Sequence, residues 1–282
     1  LIRLAALVLG LTVAGCSSQA ADRAGQRPAL DPAALPRVVS INPCVDAVLM
    51  QIAEPAQIAA ISHYSQDPRA TSIPLDQARR FAATSGTAEE VVALAPDIVI
   101  AGSHVAPSTI SALHRMNIPL IQIGVPESID ESSAQVRTIA AAIRQPARGE
   151  ALVARIDDAV RTASASSAAP PGALIWQGGG LVPGDGTLAS ELLRVTGFRN
   201  LSADYGLKQW DVLPLEYMVA KPPRVLLSVG AQDRSDRMLG HPVLAGLSRQ
   251  IAVRRYPEKL LHCGGPTIID AVGHLAQIRR AL

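Results

Sequence analysis

Aromatic residues are scarce in this chain. Of 282 residues two are Phe, two Trp and four Tyr, together 3%. An aromatic-lined nucleic-acid groove needs more than that. With so few, each Trp and Tyr is a candidate for a place where a flat apolar surface is needed. An excess of one charge is also lacking: 26 Lys and Arg stand against 24 Asp and Glu, a net charge of +2. No Lys/Arg block offers a basic docking face, so nucleic acid is not an expected partner. Several enzymatic signatures are missing. The stretch "GGGLVPGDGT" from Gly178 lacks the Lys that a phosphate-binding P-loop places after its last Gly. Rossmann glycine spacing, a G-x-S-x-G elbow and an H-E-x-x-H pair are absent as well. What is present is an ordinary globular balance, 48% hydrophobic and 18% charged. The length suits two domains, each able to bury a core.

The N-terminus has its own logic. "LIRLAALVLGLTVAGCSS" carries one Arg, an apolar run from Leu4 to Val13, then small residues and Cys16. The run is too short to span a bilayer as a helix and matches a secretory h-region. Its end, Val13-Ala14-Gly15-Cys16, resembles a bacterial lipobox, in which the cysteine is lipidated; an ordinary cleaved signal with an incidental cysteine is the alternative. Residues 1–16 are thus read as a lipoprotein signal and 17–35, rich in Ala, Pro and polar residues, as a flexible tether. Two cysteines remain, Cys44 and Cys263. Buried thiols, an inter-lobe disulfide and contact with a ligand all stay open for them.

From Pro36 onward short apolar runs ("RVVSI", "QIAAIS", "DIVIAGS", "PLIQIG") alternate with helically spaced stretches ("CVDAVLMQIA", "TAEEVVALA", "APSTISALHRMN"). Such alternation implies βαβ units and a mainly parallel sheet. The second half repeats the style from "GALIWQ" to "GPTIIDAVGHLAQIRRAL". Between the halves, a helix over Ser128 to Arg144 is stopped by Pro146, which sits near N1 of the next. That next helix has Leu152, Ile156 and Val160 on one stripe, which makes it a stiff strut rather than a hinge. The expected organisation is an N-terminal α/β lobe over 36–145, a linking helix over 146–166 and a C-terminal α/β lobe over 172–282.

One local pattern occurs in both lobes. "EEVVALAPDIVIAGS" from Glu89 and "EYMVAKPPRVLLSVG" from Glu216 each start a short helix with an acid, stop it at a proline (Pro96, Pro223) and continue into a strand. An acid in a first helical turn suits the helix dipole and by itself is worth a few tenths of a kcal/mol. A matched pair, one per lobe, asks for a common purpose.

These residues resemble a known family. "RVVSINPCVDAVLMQIAEPAQIAAISHYSQDP" followed by "EEVVALAPDIVIAGS" is similar to the first lobe of periplasmic binding proteins for iron–siderophore complexes and cobalamin, the solute-binding components of ABC importers. The resemblance runs from about Arg37 to the C-terminus. It implies two Rossmann-like α/β lobes joined by a single long helix, with the ligand in the cleft between them. Within the family the cobalamin-binding branch is nearest. Its SxYSxxP loop appears as Ser62 to Pro68, and its Trp ahead of the second-lobe glutamate appears as Trp210. The resemblance implies that Tyr64 and Trp210 stack on a corrin ring and that Glu89 and Glu216 dock arginines of the permease. Trp176 is a third aromatic candidate.

His63, His104, Cys44 and Cys263 lie in loops expected to face the cleft, although the family pattern does not demand them. They leave the ligand open between cobalamin, a ferric siderophore and haem. The glycine loop is expected to be a flexible cleft rim. The expected partners are an ABC permease with its ATPase, the chelate itself and, through Cys16, a membrane in the periplasm; the protein is expected to be a monomer with no cofactor and no catalytic role. Two alternatives remain. A tetrapyrrole metal chelatase also uses cleft histidines, but chelation normally belongs to the cytoplasm, against the export signal. A bare zinc or manganese site needs several His and carboxylates converging, whereas the six histidines are scattered singly; His114 and His274 read as surface or packing residues.

Overall fold

The computed structural model describes residues 34–166, 169–229 and 250–282. The leader with Cys16 and most of the tether lie outside the described residues. Strands β1 (Val38–Ser40), β2 (Ile58–Ser62), β3 (Ala83–Thr84), β4 (Ile98–Gly102) and β5 (Leu120–Ile123) form one parallel sheet in the order β3-β2-β1-β4-β5. Helices α1 (Pro43–Ile52), α2 (Leu75–Ala78), α3 (Ala88–Ala93) and α4 (Pro107–Arg115) make its crossovers. The apolar runs fit because a parallel sheet is covered on both faces: β1 is buried throughout and four of the five residues of β4 are buried.

Helix α5 (Ile129–Ala142) follows, capped by the Ser128 side chain, which accepts from the Glu131 amide at 3.0 Å. Arg144 takes a left-handed backbone (φ 58°) to turn the chain. Then α6 (Pro146–Ala163) begins at the expected proline. The second lobe has β6 (Gly172–Trp176), β7 (Leu181–Val182), α7 (Leu188–Val195), β8 (Arg199–Asn200), β9 (Asp211–Val212), α8 (Leu215–Ala220), β10 (Val225–Val229), β11 (Ala252–Tyr256) and α9 (Thr267–Arg280). Its parallel sheet runs β11-β10-β6-β8, and β7 pairs antiparallel with β9.

The two lobes share one large apolar core, and each keeps a smaller one of its own. One continuous apolar cluster contains Val38, Leu49 and Ile100 of the first lobe, Leu152 and Ile156 of α6, and Ile175, Leu193 and Leu275 of the second. The linking helix packs against α1 and α5 on one side and α9 on the other. It is therefore the shared wall of both lobes rather than a free-standing strut. Polar ties reinforce the junction. Glu191 accepts from the Ile129 amide at 2.7 Å, across lobes, and the Gly265 amide donates to the Ser132 hydroxyl at 2.6 Å. Gly264 sits so close that a Cβ there would lie 2.4 Å from that same hydroxyl.

The glycine loop corrects an expectation. It is not a loose rim. The amides of Gly184, Asp185 and Gly186 donate to the carbonyls of Gln209, Leu207 and Lys208 at 3.1, 2.9 and 2.7 Å. A Cβ at Gly184 would meet the Lys208 carbonyl carbon at 2.4 Å. Glycine is required there because two backbone segments touch, and the second of them leads straight into Trp210.

Candidate functional site

Helix α1 starts the site. Asn42 caps it, its side-chain oxygen accepting from the amides of Cys44 and Val45 at 2.8 and 3.4 Å, and Pro43 occupies the first helical turn. Both choices favour an abrupt helix start. Cys44 is thereby held at the cleft, where it is disulfide-bonded to Cys263 of the second lobe, with Cα atoms 5.1 Å apart. Of the three readings open for these cysteines, the inter-lobe disulfide is the one realised; neither sulfur is a free thiol for a ligand.

After β2 the chain makes a tight 3₁₀ turn over His63 to Gln66, started by the Ser62 hydroxyl, which accepts from the Tyr64 amide at 3.3 Å. This turn exposes two rings side by side, His63 and Tyr64, with centroids 4.1 Å apart. His63 Nδ1 lies 3.2 Å from the Thr84 carbonyl. An N–H donated there leaves the Nε2 lone pair free. Both rings line a cavity of about 720 Å³, together with His104, Arg115 and the end of α5. His104 is exposed at its edge.

A second cavity of about 500 Å³ opens on the other lobe, lined by Trp210, Gln209, Leu188 and Leu261. The two share Val125, Pro126 and His262, so they are contiguous across the lobe boundary. Trp210 is half-buried, its ring 6.1 Å from that of His262. His262 stands next to Cys263 in the sequence, and the disulfide places it at the lobe junction. Its ring reaches the cleft; the residue is exposed overall, and partial desolvation of the imidazole lowers its pKa against the raising effect of Glu258. Gln177 approaches its Nε2 at 3.4 Å.

Trp176 is a correction. It has no exposed surface and packs with Leu174, Val182 and Met218 in a core of the second lobe. The last residue of a strand buried on both faces is no platform for a ligand. His114 is exposed on α4, and His274 contacts the Arg255 carbonyl at 3.1 Å beside Tyr256.

Glu89 and Glu216 are both exposed, each in the first turn of its short helix, α3 and α8. Glu89 also borders the larger cavity. Its neighbour Glu90 is structural: its carboxylate accepts from Thr84, the Ser85 amide and the Ser85 hydroxyl at 2.8, 2.7 and 3.0 Å, bonds that hold its pKa down. The sequence reading missed Asp46, a buried carboxylate beneath the His63–Tyr64 turn. Helical spacing does not mark it: it stands about 100° round the helix from Val45, off the stripe of Val45, Val48, Leu49 and Ile52, and only the packed structure buries it.

Among known proteins, the chain is 26% identical over 212 residues to a cobalamin-binding protein of Halobacterium salinarum, a match covering 71% of this chain and 55% of that relative. The chain thus spans about half the length of the curated relatives it matches. Solved structures share the fold. A periplasmic heme-binding protein, RhuT, from Roseiflexus sp. RS-1 in apo form superposes with a TM-score of 0.71 at 23% identity, over 86% of this chain and 97% of that one. The periplasmic heme-binding protein HutB of Vibrio cholerae gives 0.72 at 15% identity, over 86% and 98%. The two-lobed α/β architecture read from the sequence is therefore the one observed. The model of the periplasmic binding protein family matches residues 38–254, and the chain belongs to that family.

Proposed function

We propose that this protein captures a metal chelate with a flat macrocycle, cobalamin foremost, and delivers it to the permease and ATPase of an ABC importer. The carrying observation is the pair of contiguous cavities between the lobes, with Tyr64 at one side and Trp210 at the other. Tyr64 is 52% exposed although it is one of the largest apolar rings in the chain. A ring left open in a cleft is area waiting for a flat partner. The likeness to a cobalamin-binding relative supports the choice of cargo. Few charges line the cavities (Glu89, Arg115 and Glu127), which suits a large cargo of low net charge.

Haem is the second reading, favoured by a specific feature. His63, with its Nδ1 side occupied by Thr84, and His262, exposed at the lobe junction, present imidazoles to the cleft from opposite lobes. A bare metal ion as cargo has less support, since no three His, Cys, Asp or Glu side chains converge among the described residues. Family members are solute-binding proteins, and an extracytoplasmic location follows from membership; a disulfide suits that compartment. Lipidation at Cys16 and permease docking by Glu89 and Glu216 complete the proposal.

The test is an absorbance titration of purified protein with aquocobalamin, haemin and a ferric siderophore, repeated on Trp210→Ala. Saturable spectral change with aquocobalamin, weakened by about 1–3 kcal/mol in the variant, is expected by analogy with aromatic stacking on bases. Unchanged affinity in the variant removes Trp210 from the site. Saturation by haemin alone selects the second reading, and by none of the three defeats the proposal.

A further inference from the structure

Asp46 is fully buried in the first turn of α1. One oxygen of its carboxylate accepts from the Ser62 amide at 2.9 Å and from the Ser65 hydroxyl at 2.6 Å. The other oxygen has no hydrogen-bond partner. A buried carboxylate normally sits beside a cation; those acting on this one are all neutral, Ser40 on β1 and Ser62 and Ser65 at the end of β2 and in the turn after it. Such a group is costly, so what it holds matters. It grips both ends of the turn that carries His63 and Tyr64. Two residues earlier on the same helical turn, Cys44 fixes Cys263 and with it His262. One turn of helix therefore sets the distance between the ligand-facing loops of opposite lobes.

We propose that Asp46 is a positioning residue of the binding site, its carboxylate fixing the Ser62–Gln66 turn and so the placement of His63 and Tyr64 against the cargo. The proposal rests on the chelate-binding reading for its affinity consequence, but not for the anchoring itself. Removing the acceptor frees the Ser62 amide and the Ser65 hydroxyl together. The two exposed rings then lose their fixed orientation while β1 and β4, bonded to each other, keep theirs.

Two readouts test it. Hydrogen–deuterium exchange of the ligand-free full chain compares wild type, Asp46→Ala and Asp46→Asn. Amides of residues 62–67 are expected to exchange roughly tenfold faster in Asp46→Ala, the loss of a charge-assisted bond, with β1 and β4 unchanged. Unchanged exchange there, or acceleration spread evenly over the lobe, overturns the proposal. Should Asp46→Ala not fold, Asp46→Asn decides. After correction for intrinsic rates, wild-type protection of this turn changes between about pH 6 and about pH 8, and the variant's changes less, because only the groups common to both proteins still ionise there. Equal pH response in both overturns the proposal. Titration with aquocobalamin and haemin adds the affinity arm: about tenfold weaker binding in Asp46→Ala, with unchanged stoichiometry, is expected. Wild type that binds neither probe defeats the proposed function and leaves exchange to decide the role of Asp46.

Discussion

Replacing Asp46 with Asn changes how stability depends on pH, and the size of the change follows from its surroundings. Burial pushes this carboxyl from 3.8 up to about 7, against the lowering effect of the polar groups of Ser40, Ser65 and Ser62. One pKa unit corresponds to about 1.4 kcal/mol. The folded protein holds this proton to higher pH than the unfolded chain does. Its contribution is therefore most favourable below the unfolded value, declines as pH rises, and levels off above the folded value. At pH 8 the ionised group costs the fold on the order of 4 kcal/mol relative to its state in strong acid, and about 3 kcal/mol of that appears between pH 5 and pH 8. Asparagine cannot ionise. Its amide nitrogen would face the unpartnered side of the group, at a cost of about 1–3 kcal/mol that does not vary with pH. The variant should thus be the less stable protein in acid and gain about 3 kcal/mol on wild type between pH 5 and pH 8. Urea melts at the two pH values measure this directly, because all other titrating groups are common to both proteins. Stability curves that run parallel across this range would refute the reasoning.

The disulfide gives a second test. Cys44 and Cys263 are 219 residues apart, and in the chain-entropy picture closing so long a loop is worth about 5 kcal/mol; a double Cys→Ser variant should melt well below the oxidised protein, and an unchanged melting temperature would mean that the continuous inter-lobe core does the work alone. The paired acids give a third. Glu89→Lys with Glu216→Lys should abolish uptake in cells while moving stability by less than about 0.5 kcal/mol, as exposed positions do; because Glu89 borders the larger cavity, cargo affinity must be measured as well, and intact uptake ends the docking idea.

Much of the fold was legible because its signals are local. The strands β1, β2, β4, β5, β6 and β10 are apolar runs flanked by turns, and the helices between them have a buried stripe. Pro146 announced the start of α6. What escaped was either too short or too distant. The strands β3, β7, β8 and β9 have two residues each, less than any periodicity can mark. The glycine loop looked loose because glycine permits both a flexible chain and a close backbone contact; only the facing Leu207–Gln209 segment decides between them. The core shared between the lobes also escaped, since burial stripes say which face is covered and not by which lobe.

The site divides along the same line. Tyr64 and Trp210 were found through short motifs, and both border the cavities. Trp176 could have been set aside from its own neighbourhood, since it ends the apolar run "GALIW", where a parallel strand has no exposed face. Trp210 instead follows "GLKQ", polar and turn-like. Asp46 is the more instructive case. A carboxylate fully buried without a cation is a costly placement, and such groups concentrate where function sets the residue. Nothing local says what it answers to, because Ser62 and Ser65 arrive only after the chain has passed through β2. Cys44, two residues away, answers to a residue in the other lobe. The first turn of α1 thus looks unremarkable in sequence and meets both sides of the cleft in space. A helix used only for packing would carry an apolar residue at position 46 and be more stable above neutral pH. That this chain carries an acid there, at a cost that grows with pH, is the physical reason to look for its role in the loop it holds.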